Sequence, residues 1–205
     1  MSTDPPGMET GPNGSGDAAA NAVSFRGERF DLYLDRQRIQ RRVDEMGAAV
    51  SDDYAGKTPI LIGVLNGSFI FLADLMRSIT IDCEVDFWKL SSYGARKVSS
   101  GDVTELKKVD AELAGRHVIV VEDIVDTGLS IEYVVQRIQD YGPASLRVAT
   151  LLHKPEATAS EVELDYVGFR IPDRFVIGYG LDFGQLGRNL PEIYIQSDEQ
   201  VSRGG

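Results

Sequence analysis

Three carboxylates and two hydroxyls fall within nine residues of this chain: Glu122, Asp123 and Asp126, then Thr127 and Ser130, with Gly128 between the hydroxyls. The apolar run in front, His117 to Val121, has the composition of a strand buried on both faces of a parallel sheet. Behind it Leu129, Val134, Val135 and Ile138 recur at helical spacing. At such a junction the first helical N–H groups lack partners and carry the positive end of the dipole, so the turn can hold a phosphate. Gly128 lets the backbone come close, and Thr127 and Ser130 add hydroxyl donors. The carboxylates cannot serve that anion directly. Two of them about 4 Å apart repel by about 4 kcal/mol at an effective dielectric near 20, so their crowding demands a cation, a polyhydroxyl ligand or a raised pKa. The segment suits a cation-assisted phosphate and sugar site.

Two other readings compete. Ile124 to Gly128 also contains the Asp-Thr-Gly core of an aspartic protease. That turn sits among antiparallel strands, whereas a helical pattern follows here. The plainer alternative is an acidic loop capping an ordinary helix, since Asp126 or Thr127 makes a good N-cap. A cap needs one such residue, and this segment has three carboxylates.

The elements that must position these groups can be read from periodicity. Ile39, Val43, Met46 and Val50 predict an amphipathic helix covering a sheet. Residues 59–65 read as a short buried strand, and Asn66-Gly67-Ser68 turns it into a helix with Phe69, Leu72, Leu75 and Met76 inward. Ile81 to Leu90 follows as a strand in which Cys83 alternates with Ile81, Val85 and Phe87, a buried position rather than a nucleophile. Ser91 to about Lys107 is polar, with the weak periodicity of a mobile loop. Strand His117 to Val121, helix Gly128 to Tyr141 and strand Leu146 to Leu152 complete an alternating β-α-β series. Such a series builds a mostly parallel α/β sheet with right-handed crossovers. Ligands then bind beyond the carboxyl ends of the strands, where Asn66, Glu122, Asp126 and Lys154 all fall. Phe175 to Asp182 adds a strand-like run ending in a carboxylate.

Composition sets the outer limits. With 205 residues, 42% of them hydrophobic, the chain has room for one well-buried domain and not comfortably two. Residues 1–24 read as a disordered tail, 25–200 as the domain and 201–205 as a disordered end. No run approaches a membrane span and the N-terminus lacks signal-peptide character, so a cytoplasmic location is expected. A single cysteine excludes an intramolecular disulfide. The formal charge of −11 argues against a nucleic-acid surface. Arg36, Arg38, Arg41 and Arg42 do cluster, but among acidic neighbours on a surface helix.

Val120 to Ser130 resembles the phosphoribosyl pyrophosphate signature of type I phosphoribosyltransferases. The likeness extends from about Val23 to Gln196 and takes in residues 65–68, Ser92-Tyr93-Gly94, residues 151–154, residues 167–169 and residues 171–179. That ordered set resembles the hypoxanthine-guanine branch. The resemblance implies a type I fold with a small purine-binding hood. The implied activity is purine salvage, which moves the 5-phosphoribosyl group from phosphoribosyl pyrophosphate to a 6-oxopurine and releases pyrophosphate with Mg2+ bound.

Roles for individual residues follow from the same resemblance. Glu122 and Asp123 match the pair on the ribose hydroxyls and magnesium, and they can converge only if the strand has ended before them. Asp126 matches the general base for the purine nitrogen, a task that needs a raised pKa, for which its acidic neighbours supply a reason. Asp126 together with Thr127, Gly128, Leu129 and Ser130 matches the 5-phosphate loop. Lys154 corresponds to the contact with the exocyclic purine oxygen, Phe175 to the stacking ring and Val176 to the backbone that reads the base edge. Asp182 corresponds to a residue of the purine side and a magnesium ligand. Asn66, Gly67 and Arg188 match the pyrophosphate side, and Ser92 and Tyr93 the closing loop. At position 66 the family commonly has lysine, so a positive charge is lost there. His117 and His153 match no catalytic position. Dimers or tetramers are implied. A phosphoribosyl pyrophosphate-binding regulator without catalysis is the alternative from another class, and a transferase for another base is a third; Lys154 and Phe175 argue against the last.

Overall fold

The structure, a computed structural model, describes residues 22–90, 105–107 and 109–197. Strands β3 (Ile60–Leu65), β4 (Glu84–Leu90), β6 (His117–Val125), β7 (Ser145–His153) and β8 (Tyr166–Arg170) form a parallel sheet in the order β4-β3-β6-β7-β8. The short β5 (Glu105–Lys107) joins its edge antiparallel to β4. β6 lies at the centre because it can be buried on both sides. Val118, Ile119, Val120 and Val121 have no accessible surface, which stabilises the fold by about 1.5–3 kcal/mol per side chain.

Helices cover the two faces. α1 (Arg36–Asp53) and α2 (Phe69–Ser78) lie over one core, which includes Ile119, Val121 and Leu151; α3 (Leu129–Gln139) closes the other over Val118, Val120 and Val148. Asp35 starts α1 by accepting a hydrogen bond from the Arg38 N–H at 2.8 Å. The α1 stripe of Ile39, Val43, Met46 and Val50 is buried as its spacing predicts. Arg42 leaves that helix to donate to the carbonyls of Val167 and Gly168 on β8. A second, antiparallel sheet, β1 (Ala22–Phe25), β2 (Glu28–Leu34), β10 (Ile193–Gln196) and β9 (Val176–Ile177), is held by Phe30, Ile177 and Tyr194 and forms the hood. No helix among the described residues is long and apolar enough to cross a membrane.

Several expectations change. β6 runs to Val125 and stays paired with β7, through Glu122 opposite Thr150 and Val125 opposite His153, so the strand does not end at Val121. β4 starts at Glu84, after Ile81 and Cys83; Val85 is exposed, and Asp86 and Trp88 are the buried residues. The reason is that both faces of this strand are partly covered, so simple alternation does not find the inner one. Cys83 is half-buried and its thiol is pushed up by burial, which does not favour a nucleophile. On α2 the inward residues are Phe71, Leu72 and Leu75, while Phe69 and Met76 face out. Packing against α1 as well as the sheet rotates its buried stripe. The chain enters the hood at Ala22, three residues before 25, and Glu105–Lys107 lies in β5 rather than in a loop. Of the 175–182 run only Val176–Ile177 is a strand, since Gly178, Tyr179 and Gly180 all take positive φ and turn the chain.

Candidate active site

The carboxyl ends of β3, β6 and β7 are neighbours, so Asn66, Asp126 and Lys154 emerge along one edge. This is the ligand edge expected of a parallel sheet. Asp126-Thr127-Gly128 leads straight from a parallel strand into α3, which overturns the aspartic protease reading. Gly128 is the helix N-cap at φ 84, a left-handed conformation suited to glycine, and no side chain caps the helix. The plain capping alternative loses its basis. The turn is braced from behind. Thr158 Oγ1 donates to the Asp126 carbonyl at 2.6 Å, the Ala159 N–H donates to the Thr127 carbonyl at 3.1 Å, and a Cβ on Gly128 would stand 2.4 Å from the Cβ of Ser160. Glu122, Asp126, Thr127, Gly128 and Ser130 line a cavity of about 190 Å3 in front of it. Leu129 follows as the first helical residue.

On the neighbouring strand end, the buried Lys154 ammonium lies 3.1 Å from Asp126 Oδ2 and 3.2 Å from Asp173 Oδ1. Two residues beyond Asp173 the Phe175 ring is 42% exposed, held edge-on to Phe183 at 5.5 Å and tilted to Phe30 at 6.2 Å. Val176 is buried in β9 opposite Ile195. The ring therefore has a rigid base and open surface, which suits stacking on a planar ligand. Asp173 joins the site without a motif of its own; its one sequence signal is its place directly after Ile171-Pro172 in a turn.

Asn66 and Gly67, Asp123, and Asp182 with Arg188 come from three separate segments. A Cβ on Gly67 would lie 1.8 Å from Asp123 Oδ2, and a Cβ on Gly180 would lie 2.1 Å from the Gly67 carbonyl. Both glycines are therefore required by close approach. The Leu65–Asn66 peptide bond is cis. Arg188 pairs with Asp182 at 2.5 Å and donates to the Gly180 carbonyl at 2.6 Å; Asp182 also accepts the Gln185 N–H at 2.7 Å.

Continuation of β6 sends Glu122 and Asp123 to different sides. Glu122 joins the cavity of the 126–130 turn, and Asp123 faces Gly67. Burial raises both. The Glu122 carboxyl is well above the usual range through burial and the Asp123 charge, and its Oε2 has no hydrogen-bond partner. Asp123 is raised to about 6 by burial, against N–H groups at its own position and Ile124 and the Arg188 charge, which favour the anion. Glu122, Asp123 and Asp182 do not form one ligand group, and among the described residues no three His, Cys, Asp or Glu side chains come together as a metal site. An acidic pair with an orphaned buried oxygen still fits a cation that arrives with oxygen ligands of its own. Ser92 and Tyr93 lie outside the described residues.

The histidines stay structural in position. His117 Nδ1 is 2.8 Å from Ser145 Oγ and its ring meets Tyr54 edge-on. His153, on β7, has its pKa lowered by burial and by Arg170. A larger cavity of about 380 Å3 lies between one flank of α3, the strand β7 at Leu146 and Val148, and residues 161–165, and contains none of the expected site residues. Volume alone does not locate the chemistry here.

Residues 30–184 match the family model described as phosphoribosyl transferase domain. A hypoxanthine-guanine phosphoribosyltransferase of Bacillus subtilis (strain 168) is 41% identical over 162 residues, 79% of this chain and 90% of that protein. One from Aquifex aeolicus (strain VF5) is 40% identical over 85% of this chain and 98% of its own length. A crystal structure of a hypoxanthine-guanine phosphoribosyltransferase from Bacillus anthracis, with a HEPES molecule in its active site, superposes with a TM-score of 0.77 at 40% identity, covering 80% of this chain and 97% of that one. With the family model spanning most of the domain, and the strand-to-turn junction at Asp126 built as described, the chain belongs to the phosphoribosyl transferase family.

Proposed function

We propose that the protein is a purine-salvage enzyme that transfers the 5-phosphoribosyl group from phosphoribosyl pyrophosphate to hypoxanthine or guanine. The observation that carries this reading is the junction of Asp126, Lys154 and the uncapped α3 N-terminus, with the ammonium 3.1 Å from the carboxylate. These groups match the three parts of the product: phosphate, reacting nitrogen and base oxygen.

In the reaction a bond forms between a purine ring nitrogen and the sugar carbon as the bond from that carbon to pyrophosphate breaks. The nitrogen's proton goes to Asp126. The turn from Thr127 to Ser130 holds the 5-phosphate through helix N–H groups and hydroxyls. Lys154 has three donors and no acceptor, so it favours a 6-oxo group over an amino group. Phe175 stacks on the base and the Val176 backbone meets its edge. Glu122 holds ribose hydroxyls from the side of the 126–130 turn, while Asp123, on the other side of β6 against Gly67, lies with Asn66, Gly67 and Arg188, which receive the leaving pyrophosphate. Ser92 and Tyr93 belong to a segment that closes over the reacting centre. Asp182, with Glu122 and Asp123 directly or through water, would hold Mg2+, which would supply positive charge against the pyrophosphate. A cation of this kind keeps several waters and phosphate ligands, which is compatible with carboxylates that do not converge into a cage.

The likeness to the family also carries self-association into dimers or tetramers, which light scattering measures directly. The enzyme reading is tested by mixing the protein with Mg2+, phosphoribosyl pyrophosphate and each of hypoxanthine, guanine, xanthine and adenine. Nucleotide is expected from hypoxanthine or guanine and not from adenine. Binding of phosphoribosyl pyrophosphate with no product from any base would replace the enzyme with a regulator.

A further inference from the structure

The residues assigned to the pyrophosphate side come from distant parts of the chain, yet Asp182 and Arg188 sit on a loop laid directly on the Asn66–Gly67 turn. One side chain ties that loop down. Tyr179 is buried, and its hydroxyl donates to Asp74 Oδ2 on α2 at 2.6 Å. α2 begins immediately after the Asn66–Gly67–Ser68 turn, so Asp74 is fixed relative to that turn by helix geometry. The backbone at Tyr179 is unusual. Gly178, Tyr179 and Gly180 have φ of 98, 50 and 101 in succession, and the middle one is the left-handed region that a bulky side chain avoids. Something must hold Tyr179 there, and its hydroxyl bond is a specific polar anchor. What it holds is functional geometry. Gly180 is pressed against the Gly67 carbonyl, its own carbonyl accepts from Arg188, and Arg188 pairs with Asp182.

We propose that Tyr179 and Asp74 are a positioning pair that sets the pyrophosphate side of the site, by locking the Gly178–Arg188 loop to the helix that carries the Asn66–Gly67 turn. The proposal rests on the assignment of Arg188 and Gly67 to pyrophosphate made above. Neither Tyr179 nor Asp74 touches substrate in this scheme. Burial and the Asp74 carboxylate push the phenol up, so it remains a donor across neutral pH. Arg77 occupies the other oxygen of Asp74 at 2.9 Å and lies on the exposed side of α2, where it has no part in the lock.

The test is a KM split with a double-mutant cycle on the full chain. Tyr179→Phe keeps the ring and removes only the hydroxyl. It is expected to raise the KM for phosphoribosyl pyrophosphate and the Kd for magnesium pyrophosphate, measured by calorimetry, about tenfold, the scale of a lost hydrogen bond to a charged group. The KM for the purine should change by less than about twofold. Asp74→Ala should reproduce this effect, and the double variant should be no worse than either single one. Asp74→Asn still offers an oxygen and should restore most of the affinity, while Arg77→Ala should leave both constants near wild type. A purely structural role would lower the melting temperature and the active fraction without moving KM for one substrate. Additive effects of the two substitutions, or unchanged pyrophosphate affinity in Tyr179→Phe, would overturn the pair. Arg188→Ala separates the two levels of the claim. If it weakens pyrophosphate binding while Tyr179→Phe does not, only the positioning pair is wrong; if it has no effect, the pyrophosphate assignment fails and the pair with it.

Discussion

The two halves of the proposed site, one assigned to the 5-phosphate and one to pyrophosphate, are built in opposite ways. The phosphate half is one continuous stretch, in which β6 ends, Gly128 turns the chain and α3 begins, with residues 154–160, the segment that follows β7, bracing it. The pyrophosphate half joins residues 66–67, 123 and 180–188, which meet through glycines that leave room for a carboxylate and a carbonyl. In the first, local sequence chooses both residue and position. In the second, position depends on contacts far apart in sequence, so small changes should spread further. Substitutions in the two halves should therefore fail differently.

The largest effect is expected in the contiguous half. Asp126→Asn keeps the shape of the turn and its N–H groups but removes the proton acceptor, so kcat should fall about 10²- to 10⁴-fold, the range for a positioned acid or base. The KM for phosphoribosyl pyrophosphate should move little, because the proposed scheme gives the phosphate to the turn and not to this carboxylate. Steady-state rates with hypoxanthine check this. An unchanged kcat would show that another group takes the proton.

Next comes a pH effect in the discontinuous half. The Asp123 carboxyl titrates at 3.8 in its ordinary state and about 6 in the fold. The folded protein therefore binds this proton more tightly than the unfolded chain does. The stabilisation is fully present below about 3.8 and is lost as pH rises through about 6. A shift of about two units corresponds to about 3 kcal/mol. Asp123→Asn has no proton to lose, so its stability relative to wild type should rise by about that amount between pH 4 and 7, as measured by urea unfolding. A constant difference across that window would mean that Asp123 is charged throughout.

Gly128→Ala and Gly67→Ala compare the halves directly. Alanine at Gly128 meets the Ser160 side chain and a left-handed φ, so a cost of about 1–3 kcal/mol is expected. Adding Ser160→Gly should recover part of it, leaving the backbone term. Alanine at Gly67 meets the Asp123 carboxylate instead. Adding Asp123→Gly should recover folding in denaturant melts without recovering activity, because the obstructing atoms belong to the site. Full activity in that double variant would remove Asp123 from the pyrophosphate half.

The same contrast explains what could be read from the sequence. Strand, turn and helix around Asp126, the parallel sheet, and the placement of Asn66 and Lys154 at strand ends all follow from periodicity and strand-end logic, because those signals are local. The separation of Glu122 from Asp123 was missed because β6 keeps its pairing with β7 beyond the apolar run, and pairing leaves no mark in the composition of one strand. Phe69 and Met76 face outward against expectation because helical spacing defines a stripe but not its rotation against a second helix. Thr158, Asp173 and Tyr179 act through contacts spanning 19 to 105 residues, beyond the reach of any motif. Their only trace was the run of turn-forming residues around them.

The smallest effect tests whether the discontinuous half lacks charge. Position 66, where the family commonly carries lysine, is an exposed asparagine in this chain. The neighbouring cation, Arg188, has one nitrogen on Asp182 and another on the Gly180 carbonyl, so part of its donor set is already engaged before a ligand arrives. Asn66→Lys should therefore tighten pyrophosphate binding, but only modestly, because an exposed ammonium gains about 0.2–1 kcal/mol from an ion pair. That corresponds to about 1.5- to 5-fold in Kd at low salt. The gain should shrink as ionic strength rises from 20 to 200 mM, since the Debye length falls below about 10 Å over that range. Calorimetry with magnesium pyrophosphate at the two salt concentrations measures both the gain and its screening. A gain that persists at high salt would mean the new side chain has reorganised the turn rather than added a charge, and no gain at all would place pyrophosphate away from residue 66.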